Sequence, residues 1–200
     1  MKILLFALLF SLLPYCRVLA DDGARESEGI EESTTDDSLY LTDSIWTSSN
    51  GRRIKLAELA GTPVVMALFY TSCDSACPLI IDAMKRLENI LGADEAAKVR
   101  FVLVSFDTEA DTPEELKAYA RKRGIDRANW ELLRGSKDDT QELSVLLGSK
   151  FKKVSPKMFA HSNLIVVLDG SGRIAARVDA LDQLDLLVDK VRLVRKSGGA

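Results

Sequence analysis

Hydrophobic and polar positions change their spacing several times along the chain, and these changes outline a series of strands and helices. Two continuous apolar runs, VVMALFY (64–70) and VRFVLVSFD (99–107), are typical of strands buried on both faces of a parallel sheet. Apolar residues recur at helical spacing in PLIIDAMKRLENILG, which ends at Gly92, and in LDQLDLLVDKVRLVRK near the end of the chain. The pattern therefore predicts buried strands that alternate with amphipathic helices.

Turn and capping residues divide the remaining sequence. LYLTDSIWT and RRIKL flank Asn50-Gly51, a dipeptide that suits the positive φ angles of a tight turn, and they predict a β-hairpin. Thr112-Pro113-Glu114-Glu115 has the spacing of a capping box and predicts a helix that runs to Gly124. DDTQELSVLLG predicts another helix, which ends at Gly148. NLIVVLD and GRIAARVD predict two strands joined by the turn at 169–172.

The predicted elements suggest one α/β domain preceded by two segments of different composition. Their order over residues 39–200 is that of a thioredoxin-like fold with an N-terminal β-hairpin. Residues 1–20 have a positive end, an apolar run and small residues before a cleavage site, as in a secretory signal peptide. Residues 21–38 carry eight acidic residues and almost no apolar ones, and we interpret them as a disordered acidic linker.

Charge and the expected export narrow the class of function. Removal of residues 1–20 would take Lys2 and Arg17 from a chain with 27 basic and 30 acidic residues, which leaves a net charge of −5. Nucleic acid is then an unsuitable partner, because its phosphates need a basic surface. We expect a periplasmic or otherwise exported protein that meets a membrane only if residues 1–20 are retained.

Cysteine residues are the first candidates for chemistry. The stretch FYTSCDSACPLI (69–80) holds Cys73 and Cys77 and places both where a buried strand passes into a helix. Unpaired N–H groups and the helix dipole at such a position favour a thiolate, which is both a nucleophile and a metal ligand. A structural disulfide is the plain alternative, although closing so short a loop stabilises a protein by only about 2 kcal/mol.

The single histidine, His161, directly precedes the predicted strand NLIVVLD. A lone histidine is more often an ordinary surface or core residue, but in a thioredoxin-like sheet the loop before this strand lies beside the cysteine turn. Two thiolates and an imidazole form a soft ligand set that suits copper and, less well, zinc, which normally takes a fourth ligand at a structural site. Copper, as Cu(I) or Cu(II), is therefore the metal we expect at Cys73, Cys77 and His161.

Three blocks, YTSCDSACP, SFDTEADTPEELKAYA and FAHSNLIVVLDGSG, resemble the Sco/SenC family of thioredoxin-fold copper-binding proteins. The resemblance covers most of the chain from about Leu39 and implies a mononuclear copper site of Cys73, Cys77 and His161. It also implies copper delivery to a cuproprotein such as a copper-centre subunit of cytochrome c oxidase. The alternative is an enzyme, a thiol–disulfide oxidoreductase, in which Cys73 attacks the disulfide of a redox partner and Cys77 resolves the mixed disulfide.

Neighbouring positions bear on this resemblance. Asp107 and Asp111 match acidic positions of the family's middle block, and helix capping or loop hydrogen bonds explain them equally well. Asp74-Ser75 stands where family members often have Pro-Asp, and Ala160 stands where an aspartate commonly precedes the histidine. An acid at that second position would tune the basicity of the imidazole, so the departure bears on partner choice more than on the ligands.

The segment LGSKFKKVSPKMFAH, just before the histidine, combines basic and aromatic residues. Lys150, Lys152, Lys153 and Lys157 form either a docking face for an acidic partner domain or an ordinary solvated loop. Met158 is expected to be a core or loop residue and not an additional copper ligand.

Overall fold

The computed structural model describes residues 38–155, 158–178 and 183–197. The predicted signal peptide, the predicted linker up to residue 37 and Lys157 lie outside this range. Within it, no helix is long and apolar enough to cross a membrane. The chain forms, in order, β1 (Trp46–Ser48), β2 (Arg53–Ile54), β3 (Val64–Phe69), α1 (Ala76–Leu91), α2 (Ala93–Ala96), β4 (Arg100–Ser105), α3 (Pro113–Arg123), β5 (Trp130–Arg134), α4 (Lys137–Leu147), β6 (Phe151–Ser155), β7 (Met158–His161), β8 (Ile165–Leu168), β9 (Ile174–Val178) and α5 (Leu184–Ser197).

A seven-stranded mixed sheet in the order β2-β1-β5-β4-β3-β8-β9 forms the centre of the molecule. β3, β4 and β5 run parallel, whereas β8 pairs with β3 in the antiparallel sense. Every residue of β3, and every residue of β4 except Arg100, is buried, as the two continuous apolar runs predict. The predicted α/β class is confirmed.

Helices α1 and α5 contact each other, and α5 also contacts β8 and β9. Their buried residues recur at helical spacing, with Ile80, Met84 and Leu87 in α1 and Leu187 and Val191 in α5. These apolar faces pack with the central strands into the hydrophobic core. Residues 70–75 connect the C-terminal end of β3 to the first turn of α1, and the two cysteines lie at this junction.

Most predicted helix and hairpin boundaries are confirmed. β1 and β2 pair around the Asn50-Gly51 turn, although each strand is shorter than the predicted one. The Thr112 side chain accepts a hydrogen bond from the Glu115 N–H and caps α3. Gly124 and Gly148 end α3 and α4 in the left-handed conformation, with φ of +67° and +71°, which glycine adopts without a steric penalty.

The structure contains strands that the sequence pattern did not predict. β5 lies between β4 and β1, yet its sequence WELLR is short and carries two charges, so it lacked a clear strand pattern. Residues 151–155 and 158–161 were interpreted as part of a loop, and this was wrong. They form the antiparallel hairpin β6–β7, whose first strand is exposed except at Phe151.

Candidate metal centre

The two cysteines lie at the junction between β3 and α1. The Cys73 N–H donates to the Tyr70 carbonyl at 3.3 Å, which closes a tight turn after the strand. Ser75 occupies the N-cap position of α1, so Cys77 falls in the first helical turn as predicted. Both thiols are free, with 2% and 0% of their residue surfaces exposed. They are therefore more deeply buried than a strand–helix junction suggests.

His161, the last residue of β7, brings its imidazole to the cysteines. Its Nε2 lies 3.7 Å from the Cys77 Sγ, and one ligand atom from each of Cys73, Cys77 and His161 lies within 4.8 Å of the other two. The His161 Nδ1 is 3.0 Å from the carbonyl oxygen of Ser162. An Nδ1–H that donates to this carbonyl leaves the lone pair of Nε2 directed at the thiols. The three residues thus lie close together in the structure, as the sequence predicts.

An aromatic wall, made of Tyr70, Phe106, Phe151 and Phe159, lies beside the imidazole, which contacts the first two of these rings. Tyr70 meets the His161 ring edge-on at a centroid distance of 6.0 Å, and Phe106 lies 5.3 Å from it. Phe106 also stacks on Phe151 at 4.9 Å and contacts Phe159 at 5.1 Å. These rings connect β6 and β7 to the ends of β3 and β4, and they restrict the orientation of the histidine.

The two thiols have opposite shifts in pKa. Burial opposes ionisation of Cys73, but hydrogen bonds from the backbone N–H groups of Cys77 and Ser75, and from the side chain of Cys77, lower its pKa to about 6. Burial raises the pKa of Cys77, and the adjacent Cys73 raises it further. Cys73 is therefore the more readily ionised of the two thiols, and a metal ion bound by both would have to deprotonate Cys77.

Asp111 supports the cysteine turn without belonging to the ligand group. Its carboxylate accepts hydrogen bonds from the Thr71 N–H at 3.0 Å and from the hydroxyls of Thr71 and Ser105. Burial raises the pKa of Asp111, and the three donors oppose this rise. Asp107 accepts a hydrogen bond from the Ala110 N–H at 3.4 Å. The loop hydrogen bonds considered from the sequence therefore account for both acids.

Thr71 and Ser105 are the residues that sequence reasoning missed. Each stands at or just after the C-terminal end of a buried strand, β3 or β4, where polar residues gather around a site in an α/β sheet. A hydroxyl in such a position was the available signal, but serine and threonine are common in turns for local reasons. Only the fold shows that both share the carboxylate of Asp111.

The remaining candidates lie outside the ligand group. Met158 has 58% of its surface exposed at the start of β7 and does not belong to the cluster of potential ligands. The Lys153 ammonium pairs with Glu109 at 2.7 Å and lies 5.6 Å from the centre of the Phe159 ring. Lys152 is exposed. A docking face at Lys152 and Lys153 would therefore lie on the exposed strand β6 and not on a loop.

The chemistry of the donor set fits a soft metal. The group consists of two sulfurs and one imidazole nitrogen, and no carboxylate of the described residues belongs to it. Thiolate and imidazole suit copper and zinc, whereas magnesium and calcium prefer oxygen ligands. Cys73, Cys77 and His161 can thus hold a metal ion of the copper type.

Comparison with known proteins agrees with this site. Residues 35–195 match the family model described as SCO1/SenC. The chain belongs to the SCO1/SenC family. Members of this family with solved structures share the thioredoxin-like arrangement predicted for the chain, so that prediction is confirmed. The structural match does not assign the ligands, whose role stays a prediction.

Two relatives and one solved structure show the extent of the similarity. A “Putative copper-binding protein” of Stutzerimonas stutzeri is 26% identical over 140 residues, or 68% of this chain and 67% of that relative. The “SCO1 protein homolog” of Bacillus subtilis strain 168 is 29% identical over 111 residues, or 55% of each chain. The structure of Bradyrhizobium japonicum ScoI with copper bound has a TM-score of 0.65 and 24% identity, and covers 76% of this chain and 96% of ScoI.

Proposed function

We propose that this SCO1/SenC protein binds one copper ion through Cys73, Cys77 and His161 and delivers it to a cuproprotein. The observation that carries the proposal is the convergence of these three side chains within 4.8 Å. A copper-bound relative, ScoI of Bradyrhizobium japonicum, and the name of the Stutzerimonas stutzeri relative support the choice of metal. We further propose that delivery takes place outside the cytoplasm, with a copper-centre subunit of a respiratory oxidase as the recipient.

The arrangement of the ligands suits a metal that is cargo. Cys73 and Cys77 are buried in the turn after β3 and in the first turn of α1, whereas His161 belongs to the separate hairpin β6–β7 and is only half-buried. Soft Cu(I) prefers thiolate to imidazole, so a thiolate of the recipient can displace His161 before it displaces either cysteine. This order gives a shared-ligand intermediate from which copper leaves without entering water.

Titration of the fully reduced protein with Cu(I), without oxygen and against a competing chelator, tests this function. We expect one equivalent to bind tightly, with binding lost in Cys77→Ser and weakened at least tenfold in His161→Ala, as expected for loss of one of three ligands. No second histidine can be replaced as a matched control, because His161 is the single histidine of the chain. Met158→Ala, which removes an exposed sulfur outside the cluster, serves instead and should bind as the wild type does. Binding that ignores His161→Ala would contradict the three-ligand site.

One observation favours a second candidate function, thiol–disulfide exchange on an exported partner. The pKa of Cys73 is lowered to about 6 while that of Cys77 is raised, and this asymmetry suits an attacking thiolate and a resolving thiol. In such a reaction the Cys73 thiolate forms a mixed disulfide and releases one thiol of the partner. Cys77 then closes the Cys73–Cys77 disulfide and releases the other thiol.

Reaction of the reduced, metal-free protein with oxidised glutathione distinguishes the two candidates. Exchange predicts that Cys73→Ser abolishes the reaction, that Cys77→Ser traps the mixed disulfide, and that His161→Ala retains most of the rate. A thiol pair that does not react with the disulfide, in a protein that binds one copper ion, would leave delivery as the function.

A further inference from the structure

A second candidate binding site lies at the end of the sheet opposite the cysteines. A cavity of about 530 Å³ opens beside Pro63, just before β3, and Arg100, the first residue of β4. Because β3 and β4 run parallel, their N-terminal ends face away from the ends that hold the metal centre. The volume falls within the range of pockets that bind small molecules. The cavity therefore cannot be a part of the copper site.

The charged side chains that line this cavity, among the described residues, are all basic. Lys98, Arg100 and Arg195 line it, and no carboxylate of the residues that the structure describes does. The nearest acid that interacts with them is Glu95, which pairs with both Arg195, at 2.6 Å, and Arg192, at 2.9 Å. Asp94, the adjacent residue in α2, is exposed and does not line the cavity. A second carboxylate, Glu88, accepts a hydrogen bond at 2.8 Å from the lining residue Asn129 but does not itself line the cavity. Three cations therefore line the cavity, and among the described residues no acid does, in a protein whose net charge is −3.

Two of the three lining cations are already held in place. The Arg100 Nη1 donates to the Ala128 carbonyl at 2.9 Å, which orients the guanidinium without neutralising it. Arg195 is oriented by Glu95 and keeps further N–H groups to donate. Lys98 is exposed and makes no ion pair among the described residues. Guanidinium groups that are fixed in advance lose little entropy when they bind an anion.

From this geometry we infer that the cavity binds a phosphate-bearing anion. Two oriented guanidinium groups and one ammonium match the charge and the hydrogen-bonding geometry of a phosphate. A neutral donor is present as well, since the Thr62 hydroxyl belongs to the lining. The Asn129 amide also lines the cavity but already donates to the Glu88 carboxylate at 2.8 Å and to the Ala96 carbonyl at 3.4 Å. A soluble phosphorylated compound and a phospholipid headgroup share this chemistry.

Binding measurements with matched variants test the site. Pyrophosphate is the soluble probe, measured by calorimetry, and vesicles of phosphatidylglycerol, compared with vesicles of phosphatidylcholine, are the lipid probe. The double variant Lys98→Ala/Arg100→Ala removes two lining cations. Arg86→Ala/Lys122→Ala removes the same two charges from exposed positions elsewhere on the surface and is the control. Circular dichroism and copper titration of each variant verify that the fold and the metal centre are intact.

We expect the wild type to bind at least one probe. The affinity of Lys98→Ala/Arg100→Ala for that probe should be lower by a factor of about ten, and that of the control variant should stay within twofold of the wild type. Binding of pyrophosphate identifies a soluble anion, whereas binding of phosphatidylglycerol vesicles alone identifies a headgroup. Equal losses in both double variants, or no binding of either probe by the wild type, would overturn the inference. Neither result would affect the copper proposal, which rests on residues at the other end of the sheet.

Discussion

At the scale of the residue, Asp111 connects three parts of the chain through one buried carboxylate. It lies just before α3 and accepts hydrogen bonds from Thr71, in the cysteine turn, and from Ser105, at the end of β4. Only 1% of the Asp111 surface is exposed, so water could not readily accept these hydrogen bonds if the carboxylate were removed. The position of Cys73 relative to the rest of the site thus depends on a residue that does not bind the metal.

Replacement of Asp111 by alanine should destabilise the protein and weaken copper binding together. Loss of a buried acceptor strands two hydroxyls and one N–H, and we expect the free energy of unfolding to fall by about 3 kcal/mol. We also expect the affinity for Cu(I) to fall about tenfold, as for the loss of a group that supports a ligand. Urea denaturation and copper titration measure the two effects.

Asp107→Ala is the matched control, because Asp107 is also buried but accepts one hydrogen bond at 3.4 Å. It should cost about 1 kcal/mol and leave copper affinity as in the wild type. An Asp111→Ala variant that resembles Asp107→Ala in both measurements would show that Asp111 does not hold the turn.

At the scale of the element, the hairpin β6–β7 carries His161 although it does not belong to the main sheet. It is attached to the domain through the aromatic wall, in which Phe159 packs on Tyr70 at 5.0 Å and on Phe106 at 5.1 Å. The wall therefore links a strand with little cover to the ends of β3 and β4. Removal of a ring should loosen the histidine while the cysteines stay in place.

Phe159→Ala tests this link, because the ring is mostly buried and is not a ligand. We expect a loss of about 3 kcal/mol in the free energy of unfolding, as for the truncation of a core phenylalanine. Copper affinity should fall about tenfold, through the histidine. Val154 lies on the same hairpin, with 52% of its surface exposed, and Val154→Ala should change neither the free energy of unfolding nor the copper affinity. Equal copper affinities in the two variants would contradict a positioning role for the wall.

The strands and the ligand cluster show what the sequence could and could not predict. Continuous apolar runs predicted β3 and β4, and the Cys-x-x-x-Cys spacing with the downstream histidine predicted the cluster of three potential ligands. The sequence FKKVS gave no strand signal, because an exposed strand needs no apolar face. Likewise, the contacts of Asp111 and of the aromatic wall join residues from distant segments, and such pairs are decided by tertiary packing and not by local pattern.

At the scale of the whole molecule, copper should stabilise the fold, because the ligands come from segments far apart in the chain. Cys73 and Cys77 lie at one end of β3, and His161 lies 84 residues after Cys77. A metal that binds only the folded protein adds about 2.7 kcal/mol to the free energy of unfolding at a free concentration of 100 times its Kd.

Thermal unfolding measures this linkage. We expect one equivalent of Cu(I) to raise the Tm of the reduced protein, a Cu(I) chelator to return it to the metal-free value, and His161→Ala to reduce the increase. An unchanged Tm at saturating Cu(I) would mean that the metal binds the unfolded chain equally well, as two nearby cysteines alone can do.

We propose above all that the two cysteines and the histidine bind one copper ion together. X-ray absorption spectroscopy of the Cu(I)-loaded protein tests it most directly, because the spectrum reports the atoms bound to the metal. A three-ligand site predicts two sulfur ligands and one imidazole nitrogen in the wild type, and two sulfurs without the imidazole in His161→Ala. A wild-type spectrum with sulfur ligands alone, unchanged in His161→Ala, would contradict a role of His161 as a copper ligand.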